Sequence, residues 1–174
     1  LALTADAAIQ INRIVITEFI KLKIPIISFA PLSFNYGNKI LVDHIQKALD
    51  LGIIPVIYGD VIMNKKQGFE IYSGEKTLDI LATKLSKNYK RIKIIYYTDT
   101  NGVYDNSGKT ISLITPKNFK EIKKYLQGSE NTDVTGGMIH KVEESLKLVQ
   151  KLDAKVYITS GFELKNKGTK ITKI

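Results

Sequence analysis

The feature that most restricts the fold of this 174-residue chain is the alternation of short apolar runs with amphipathic segments. Four runs have the length and the β-branched composition of strands, the first three of them buried ones: Ile24–Phe29, Ile53–Tyr58, Arg91–Tyr97 and Val156–Thr159. The segments that carry apolar residues at helical spacing are Ala2–Lys23, Lys39–Leu51, Glu75–Leu85, Asn118–Leu126 and Met138–Leu152. Strands joined through helices pair in parallel, so the sequence predicts an α/β fold with a mostly parallel sheet sandwiched between helices.

Shorter segments complete this outline. Val61–Met63 and Phe69–Tyr72 flank a turn and predict a hairpin, whereas Thr110–Ile114 reads as extended and Thr169–Ile174 as a closing strand. Tyr96-Tyr97 is interpreted as part of the core of its strand rather than as a platform for a base.

The stretch Asn131–Lys141 runs from polar residues through Gly136 and Gly137 into a predicted helix. Glycine has no side chain, so a ligand can approach the backbone there. The first amides of a helix have no internal partners and lie at the positive end of its dipole, and Lys141 adds a full charge one turn in. The stretch therefore predicts an anion site. The alternative is an ordinary loop, a helix cap and a solvated lysine.

Small and polar residues also follow three of the predicted strands. They are Gly59-Asp60, Thr98-Asp99 and Ser160-Gly161, and Ser73-Gly74 opens a second helix. Ligands of such sheets bind beyond the carboxyl ends of the strands. Each pair alone also fits simple turn chemistry. Two helix N-termini at one sheet edge favour two anionic groups, as in a phosphoryl donor that faces an acceptor.

Composition excludes several functional classes. The net charge is +9, but the lysines are spread along the chain and lack interleaved aromatic residues, which favours a general positive field over a nucleic-acid groove. The chain has no cysteine, which excludes disulfides and thiolate metal sites. No segment reaches the length of a membrane span and no signal peptide is evident, so we expect a cytoplasmic protein. The chain does not start with Met, and we expect an N-terminal portion to be missing.

Four stretches carry a family resemblance: Ile54–Val61, Ile71–Glu75 with Leu81-Ala82, Thr98–Tyr104 and Asp133–Lys141. In order and spacing they resemble the amino acid kinase superfamily, and within it most closely the archaeal isopentenyl phosphate kinases. The resemblance spans nearly the whole chain. It implies the three-layer fold of that superfamily, with an acceptor-substrate lobe in residues 1–90 that lacks its first strands and a nucleotide-binding lobe in residues 91–174.

The resemblance also implies an activity, namely transfer of the γ-phosphoryl group of ATP to isopentenyl phosphate in isoprenoid biosynthesis. ATP and Mg²⁺ are the expected cofactors, without a metal cage made by the protein. The implied partner is a small phosphate acceptor rather than nucleic acid or membrane, and similar kinases form homodimers, for which the first helix is a candidate.

By the same resemblance, individual residues acquire roles. The catalytic residues would be Lys141 and Glu75. The nucleotide side would be lined by Thr98, Asp99, Gly102, Tyr104, Gly136, Gly137, Met138 and Lys141. The acceptor side would be lined by Gly59, Asp60, Ser73 and Gly74.

The chain departs from the family pattern in three ways. It has neither the N-terminal Lys-x-Gly-Gly strand nor the following segment with a substrate-phosphate histidine. Glu75 stands where the family has Asp, and Gly161–Thr169 is short, as if residues were absent near Lys165–Lys167. Two alternatives stay open: a kinase of this fold for an amino acid, a nucleoside monophosphate or a phosphonate, and a non-catalytic nucleotide-binding module.

Overall fold

The computed structural model describes residues 1–36, 39–64, 68–127, 137–163 and 167–174, which form two compact units, Leu1–Asn88 and Tyr89–Ile174. The helices are α1 (Ala2–Lys21), α2 (Pro31–Phe34), α3 (Asp43–Asp50), α4 (Gly74–Leu85), α5 (Phe119–Gln127) and α6 (Gly137–Lys151), with a 3-10 turn at Ser86–Asn88. The strands are β1 (Ile26–Phe29), β2 (Asn35–Tyr36), β3 (Lys39–Ile40), β4 (Ile54–Ile57), β5 (Asp60–Asn64), β6 (Gly68–Tyr72), β7 (Ile92–Thr98), β8 (Leu113–Ile114), β9 (Ala154–Ser160) and β10 (Thr169–Ile171).

The unit Tyr89–Ile174 is built on a four-stranded sheet in the order β7-β9-β10-β8. β7 and β9 pair in parallel from Ile92↔Ala154 to Thr98↔Ser160, whereas β10 is antiparallel to β9 and parallel to β8. The apolar face of α6 packs against β9 and β10. The fully buried side chains of this core include Val142, Val149, Val156, Ile158 and Ile171. Each such side chain contributes about 1.5–3 kcal/mol relative to an exposed one.

The unit Leu1–Asn88 contains smaller sheets. β1 pairs in parallel with β4, and β5 and β6 form an antiparallel hairpin. Ile45 of α3 and Leu81 of α4 form a small core, against which Phe29, Ile57 and Leu85 pack. None of the side chains of α1, all of which the structure describes, is buried.

Local sequence explains where α4 begins and where α3 ends. The Ser73 hydroxyl accepts a hydrogen bond from the Lys76 backbone N–H at 3.1 Å and so caps α4. Gly52 follows α3 with φ of 71°, a left-handed conformation in which glycine is favoured because it has no Cβ.

The α/β fold class with parallel strand pairs is confirmed, and so are the predicted hairpin and most of the predicted helices. The predicted helix over Lys39–Leu51 begins only at Asp43, because Lys39 and Ile40 pair with the preceding short strand instead. The predicted strand over Thr169–Ile174 ends at Ile171. Of the helices in the described part of the chain, none is long and apolar enough to cross a membrane.

Two predictions of burial are wrong. Ile27 and Ile54 are 44% and 46% exposed although their strands were predicted to be buried, because within the described residues β1 and β4 pair only with each other. Tyr97, interpreted as core, is 59% exposed because it lies on the sheet face opposite Tyr96 and close to the strand end.

Candidate functional site

The carboxyl ends of β7 and β9 lie side by side. Thr98 is paired with Ser160, and the Gly161 N–H donates to the Thr98 carbonyl oxygen at 2.9 Å. The Ser160 hydroxyl accepts from the backbone N–H groups of Phe162 and Glu163 at 3.0 and 3.2 Å. The residues after these two strands therefore emerge at one edge of the sheet, as predicted for a ligand-binding edge.

The loop after β7 is organised by its own hydroxyl groups. The Thr98 hydroxyl donates to the Thr100 carbonyl at 2.9 Å, and the Thr100 hydroxyl donates to the Gly102 carbonyl at 3.1 Å. The Asn101 N–H donates to the Tyr104 hydroxyl at 3.0 Å. Thr98 and Tyr104 thus hold the loop, while the Asp99 side chain is exposed at its start.

Close packing explains why position 102 is a glycine. Its φ is 130°, and a Cβ there would meet the Thr169 hydroxyl at 2.6 Å and the Thr110 methyl at 2.9 Å. The same Thr169 hydroxyl accepts a buried hydrogen bond from the Val103 N–H at 2.8 Å. The structure therefore ties the loop after β7 to β10, and Gly102 serves this close approach whether or not a ligand is bound.

The predicted anion site at the start of α6 is described from Gly137 onward, and Gly136 lies outside the described residues. Gly137 opens the helix with φ of 54°, and Met138 is half-buried. The Lys141 Nζ atom lies 5.0 Å from the centroid of the Tyr96 ring. Because Tyr96 precedes Thr98 by two residues in β7, the Lys141 ammonium group lies beside the carboxyl end of that strand.

Two carboxylates on α6 are paired with other lysines. Glu143 accepts from Lys123 at 2.6 Å, and Glu144 accepts from Lys147 at 2.6 Å. The hydrogen bond from Lys123 is the main reason why the pKa of Glu143 is lowered from its ordinary value, with the Lys123 charge adding to it. Lys141 is therefore close in sequence to two acids that each have a different cationic partner.

The predicted acceptor-side residues come together within the unit Leu1–Asn88. A Cβ on Gly59 would meet the Gly74 backbone nitrogen at 2.7 Å and the Tyr72 carbonyl oxygen at 3.0 Å. The end of β4 therefore lies directly against the turn from β6 into α4. That close backbone contact requires glycine at position 59 and places it beside the Ser73 cap.

Asp60 is only 8% exposed, and one of its carboxylate oxygens accepts from the Val61 N–H at 2.7 Å. It faces Tyr72 across the hairpin. Burial raises the pKa of the Tyr58 phenol above its ordinary value, and the Asp60 charge raises it further. Burial likewise raises the pKa of Tyr72, with Glu70 adding to it. Both phenols therefore stay neutral at physiological pH beside this buried carboxylate.

Glu75 lies exposed in the first turn of α4. Its neighbour Lys76 is 4.6 Å from the Tyr72 ring centroid and 3.9 Å from a Glu70 oxygen. The sequence pattern did not single out Lys76, and it indicated a place in the strand core for Tyr96. Strand alternation contained a usable indication for Tyr96, since a residue two positions before Thr98 shares its face of the sheet.

The described residues contain no group of three or more His, Asp or Glu side chains arranged to hold a metal ion.

Comparison with known proteins decides the family. The profile of the amino acid kinase family matches residues 2–160. The chain belongs to the amino acid kinase family. It is similar to the isopentenyl phosphate kinase of Methanocaldococcus jannaschii, with 32% identity over 160 residues, and this confirms the resemblance inferred from the motifs. It is also similar to the acetylglutamate kinase of a Nitratiruptor species, with 31% identity over 143 residues.

The lengths compared differ. The first match covers 90% of this chain but 58% of the M. jannaschii enzyme, and the second covers 78% of this chain and 46% of that enzyme. The chain thus spans about half the length of these amino acid kinases. A solved structure of an isopentenyl phosphate kinase has the same fold, with a TM-score of 0.73 and 24% sequence identity. The match covers 98% of this chain and 69% of the other chain.

Proposed function

We propose that this protein is an ATP-dependent kinase that transfers the γ-phosphoryl group to isopentenyl phosphate and forms isopentenyl diphosphate. The observation that carries the proposal is the Lys141 ammonium group, held at the start of α6 beside the carboxyl end of β7. The similarity to the M. jannaschii enzyme supports the choice of acceptor. In this proposal, residues 1–90 form the acceptor lobe and residues 91–174 the nucleotide lobe.

The described residues of the nucleotide lobe fit a polyphosphate. The N-terminus of the 15-residue helix α6 offers backbone N–H groups, Gly137 allows close approach, and Lys141 supplies a cation. Asp99 is exposed at the adjoining strand end, where a carboxylate suits a magnesium–nucleotide complex. Bound ATP with Mg²⁺ would supply the transferable phosphoryl group.

In phosphoryl transfer the protein acts by positioning and by stabilising charge. Lys141 would stabilise the negative charge on the transferring group. Gly136, Gly137 and Met138 would bind phosphate oxygens through backbone N–H groups. Thr98, Gly102 and Tyr104 would shape the nucleotide side through the loop that their hydrogen bonds and packing hold in place.

On the acceptor side, the Gly59–Gly74 contact would bring a substrate phosphate close to the N-terminus of α4, where Ser73 already fixes the first turn. Glu75 would orient cationic groups near the phosphates, as the aspartate of the family does. The buried Asp60 would hold the turn that carries Gly59 through its bond to Val61.

A second acceptor class has its own support. The 31% identity to an acetylglutamate kinase is close to the identity to the isopentenyl phosphate kinase, so an acylamino acid is the rival substrate. We further propose a homodimer formed through α1, whose exposed apolar residues include Ile11 and Ile14, and a cytoplasmic location.

The first experiment is ADP release by the purified protein with isopentenyl phosphate, N-acetylglutamate and UMP as parallel acceptors. We expect turnover with isopentenyl phosphate alone. Turnover with N-acetylglutamate instead would show that the acceptor is an acylamino acid. ATP binding without turnover on any acceptor would leave a non-catalytic nucleotide-binding module.

Substitution of Lys141 tests the mechanism. Lys141→Ala is expected to lower kcat by about 10²–10³-fold, the usual cost of removing one charge-stabilising donor. Lys151→Ala, at the other end of the same helix, is the matched control and is expected to keep full activity. Equal activity in the two variants, with equal thermal melting, would exclude Lys141 from the chemistry.

A further inference from the structure

The contact between Lys141 and Tyr96 goes beyond the residues that the family pattern assigns. We propose that Tyr96 is a positioning residue, whose ring face holds the Lys141 ammonium group at the carboxyl end of β7 in readiness for the nucleotide phosphates. The inference rests on the proposed function. The observation that carries it is the 5.0 Å separation between the Lys141 Nζ atom and the ring centroid, within the 6 Å range of a cation–π contact.

The ring stands on a fixed support. Tyr96 pairs with Ile158, which has no solvent exposure, in the middle of the parallel β7–β9 register. Side chains alternate along a strand, so the Tyr96 ring shares a face with the buried Ile94 on one side and with Thr98 on the other. The Tyr96 ring therefore lies between the buried core at Ile94 and the carboxyl end of β7 at Thr98.

The backbone of Lys141 is fixed as well. Val142 and Ser145 are buried on α6, and the Ser145 hydroxyl donates to the Lys141 carbonyl at 2.7 Å. With helix and strand both held by the core, the flexible part of the contact is the four-carbon stem of Lys141. Such a stem has many rotamers, and the contact with the ring favours those that place the ammonium group beside it.

An aromatic face suits this task better than a carboxylate. It attracts a cation through its quadrupole but carries no net charge, so it does not neutralise the lysine. The two acids nearest in sequence, Glu143 and Glu144, are engaged by Lys123 and Lys147. These two carboxylates are thus paired with other lysines, while the Lys141 ammonium group contacts the ring.

The same sheet provides a matched control. The Lys93 Nζ atom also lies 5.0 Å from the centroid of a tyrosine ring, that of Tyr157. Tyr157 pairs with Ile95, so this second contact lies on the sheet face opposite Tyr96, away from the start of α6. Loss of the Tyr157 ring therefore removes an equivalent contact without touching Lys141.

The test measures ATP binding by calorimetry, and kcat/KM for ATP, in the whole protein. A cation–π contact corresponds to about a 2–5-fold effect at exposed sites, so Tyr96→Leu is expected to weaken ATP binding and lower kcat/KM by that factor. Tyr96→Phe, which keeps the ring, and Tyr157→Leu are expected to stay within experimental error of the wild type. Unchanged values in Tyr96→Leu, or equal losses in the Leu and Phe variants, overturn the role of the ring.

A double-mutant cycle separates positioning from general damage. In the Lys141→Ala background, Tyr96→Leu is expected to cause no further loss, because the group it positions is gone. An additive loss would show that Tyr96 acts through the fold alone. In parallel, the ε-methylene proton signal of Lys141 is expected upfield by the ring current in the wild type and Tyr96→Phe, and at its ordinary position in Tyr96→Leu.

These readouts distinguish the two proposals. If the wild type binds ATP but Tyr96→Leu matches it in affinity and kcat/KM, the role of Tyr96 fails and the kinase proposal stands. If the wild type shows the ring-current shift but binds no ATP, the kinase proposal fails and the positioning role falls with it.

Discussion

The units Leu1–Asn88 and Tyr89–Ile174 both contain parallel pairs of isoleucine-rich strands, yet they bury them differently. In the second unit, β9 lies between β7 and β10 under α6, and its residues Val156 and Ile158 have no solvent exposure. In the first unit, β1 and β4 pair with each other alone among the described residues, and Ile27 and Ile54 stay nearly half exposed.

The difference shows that strand composition and strand burial are separate properties. An isoleucine-rich run pairs wherever a partner strand offers hydrogen bonds, but its side chains are buried only if further strands or a helix cover them. The unit Tyr89–Ile174 has such cover in α6, whereas α1 in the other unit contacts β1 and β5 but buries none of its side chains fully. We therefore expect stability to be concentrated in the unit Tyr89–Ile174.

Two truncations of strand isoleucines test most directly whether the two units differ in burial. Ile158→Ala is expected to lower the free energy of unfolding by about 2–5 kcal/mol, because it opens a cavity in a closed core. Ile27→Ala is expected to cost much less, since its side chain is already in contact with water. Urea unfolding followed by hydrogen exchange in each unit measures both, and equal costs would refute the contrast in burial.

A substitution at the N-cap of α4 tests the less buried unit, Leu1–Asn88, and is expected to cause a loss of stability of intermediate size. Ser73→Ala removes the acceptor of the Lys76 N–H and is expected to cost about 0.5–2 kcal/mol, the usual range for a helix N-cap. Ser86→Ala is the control, because its hydroxyl donates to the Thr83 carbonyl at the other end of α4 and caps no N-terminal N–H group there. Thermal unfolding of both variants checks the difference. A larger loss in Ser86→Ala would contradict the capping role.

The smallest expected effect concerns the Lys123–Glu143 pair of the unit Tyr89–Ile174. The pKa of Glu143 is lowered, so the pair stabilises the fold above the ordinary pKa of glutamate and loses this effect as the pH falls through the lowered value. The Lys123 and Glu143 side chains are 40% and 32% exposed, so Lys123→Ala is expected to cost only about 0.2–1 kcal/mol at pH 7.

Unfolding of Lys123→Ala and wild type at pH 7 and pH 2.5, with and without 1 M NaCl, tests this pair. The difference should be smaller at the lower pH and should shrink in salt. A difference that stays equally large at pH 2.5 would point to packing of the lysine stem instead of charge.

The sequence predicted those parts of the fold that depend on local pattern. Helical spacing located α1, α4 and α6, and the predicted hairpin matches β5 and β6. It did not predict the β2–β3 pair, because two-residue strands have no periodicity to detect. It also overestimated burial at Ile27, because burial depends on how many neighbours a strand acquires in the tertiary structure.

The candidate site divides in the same way. Glycine and polar motifs in the sequence predicted Gly59, Ser73, Thr98 and Lys141 as candidate site residues. The Tyr96 contact, however, joins β7 to α6, and the hydrogen bond from Val103 to Thr169 spans 66 positions. No local pattern predicts such pairs, because they arise only when the sheet has formed.

The parallel register between β7 and β9 has a consequence for the order of folding. Thr98 finds its partner only when Ser160 is available, after the loop, α5 and α6 have been made. Closing so long a connection costs entropy before any pairing energy is gained, so this sheet is expected to form slowly. The edge that carries Thr98 and Asp99 would accordingly take shape only after Ser160 has emerged from the ribosome.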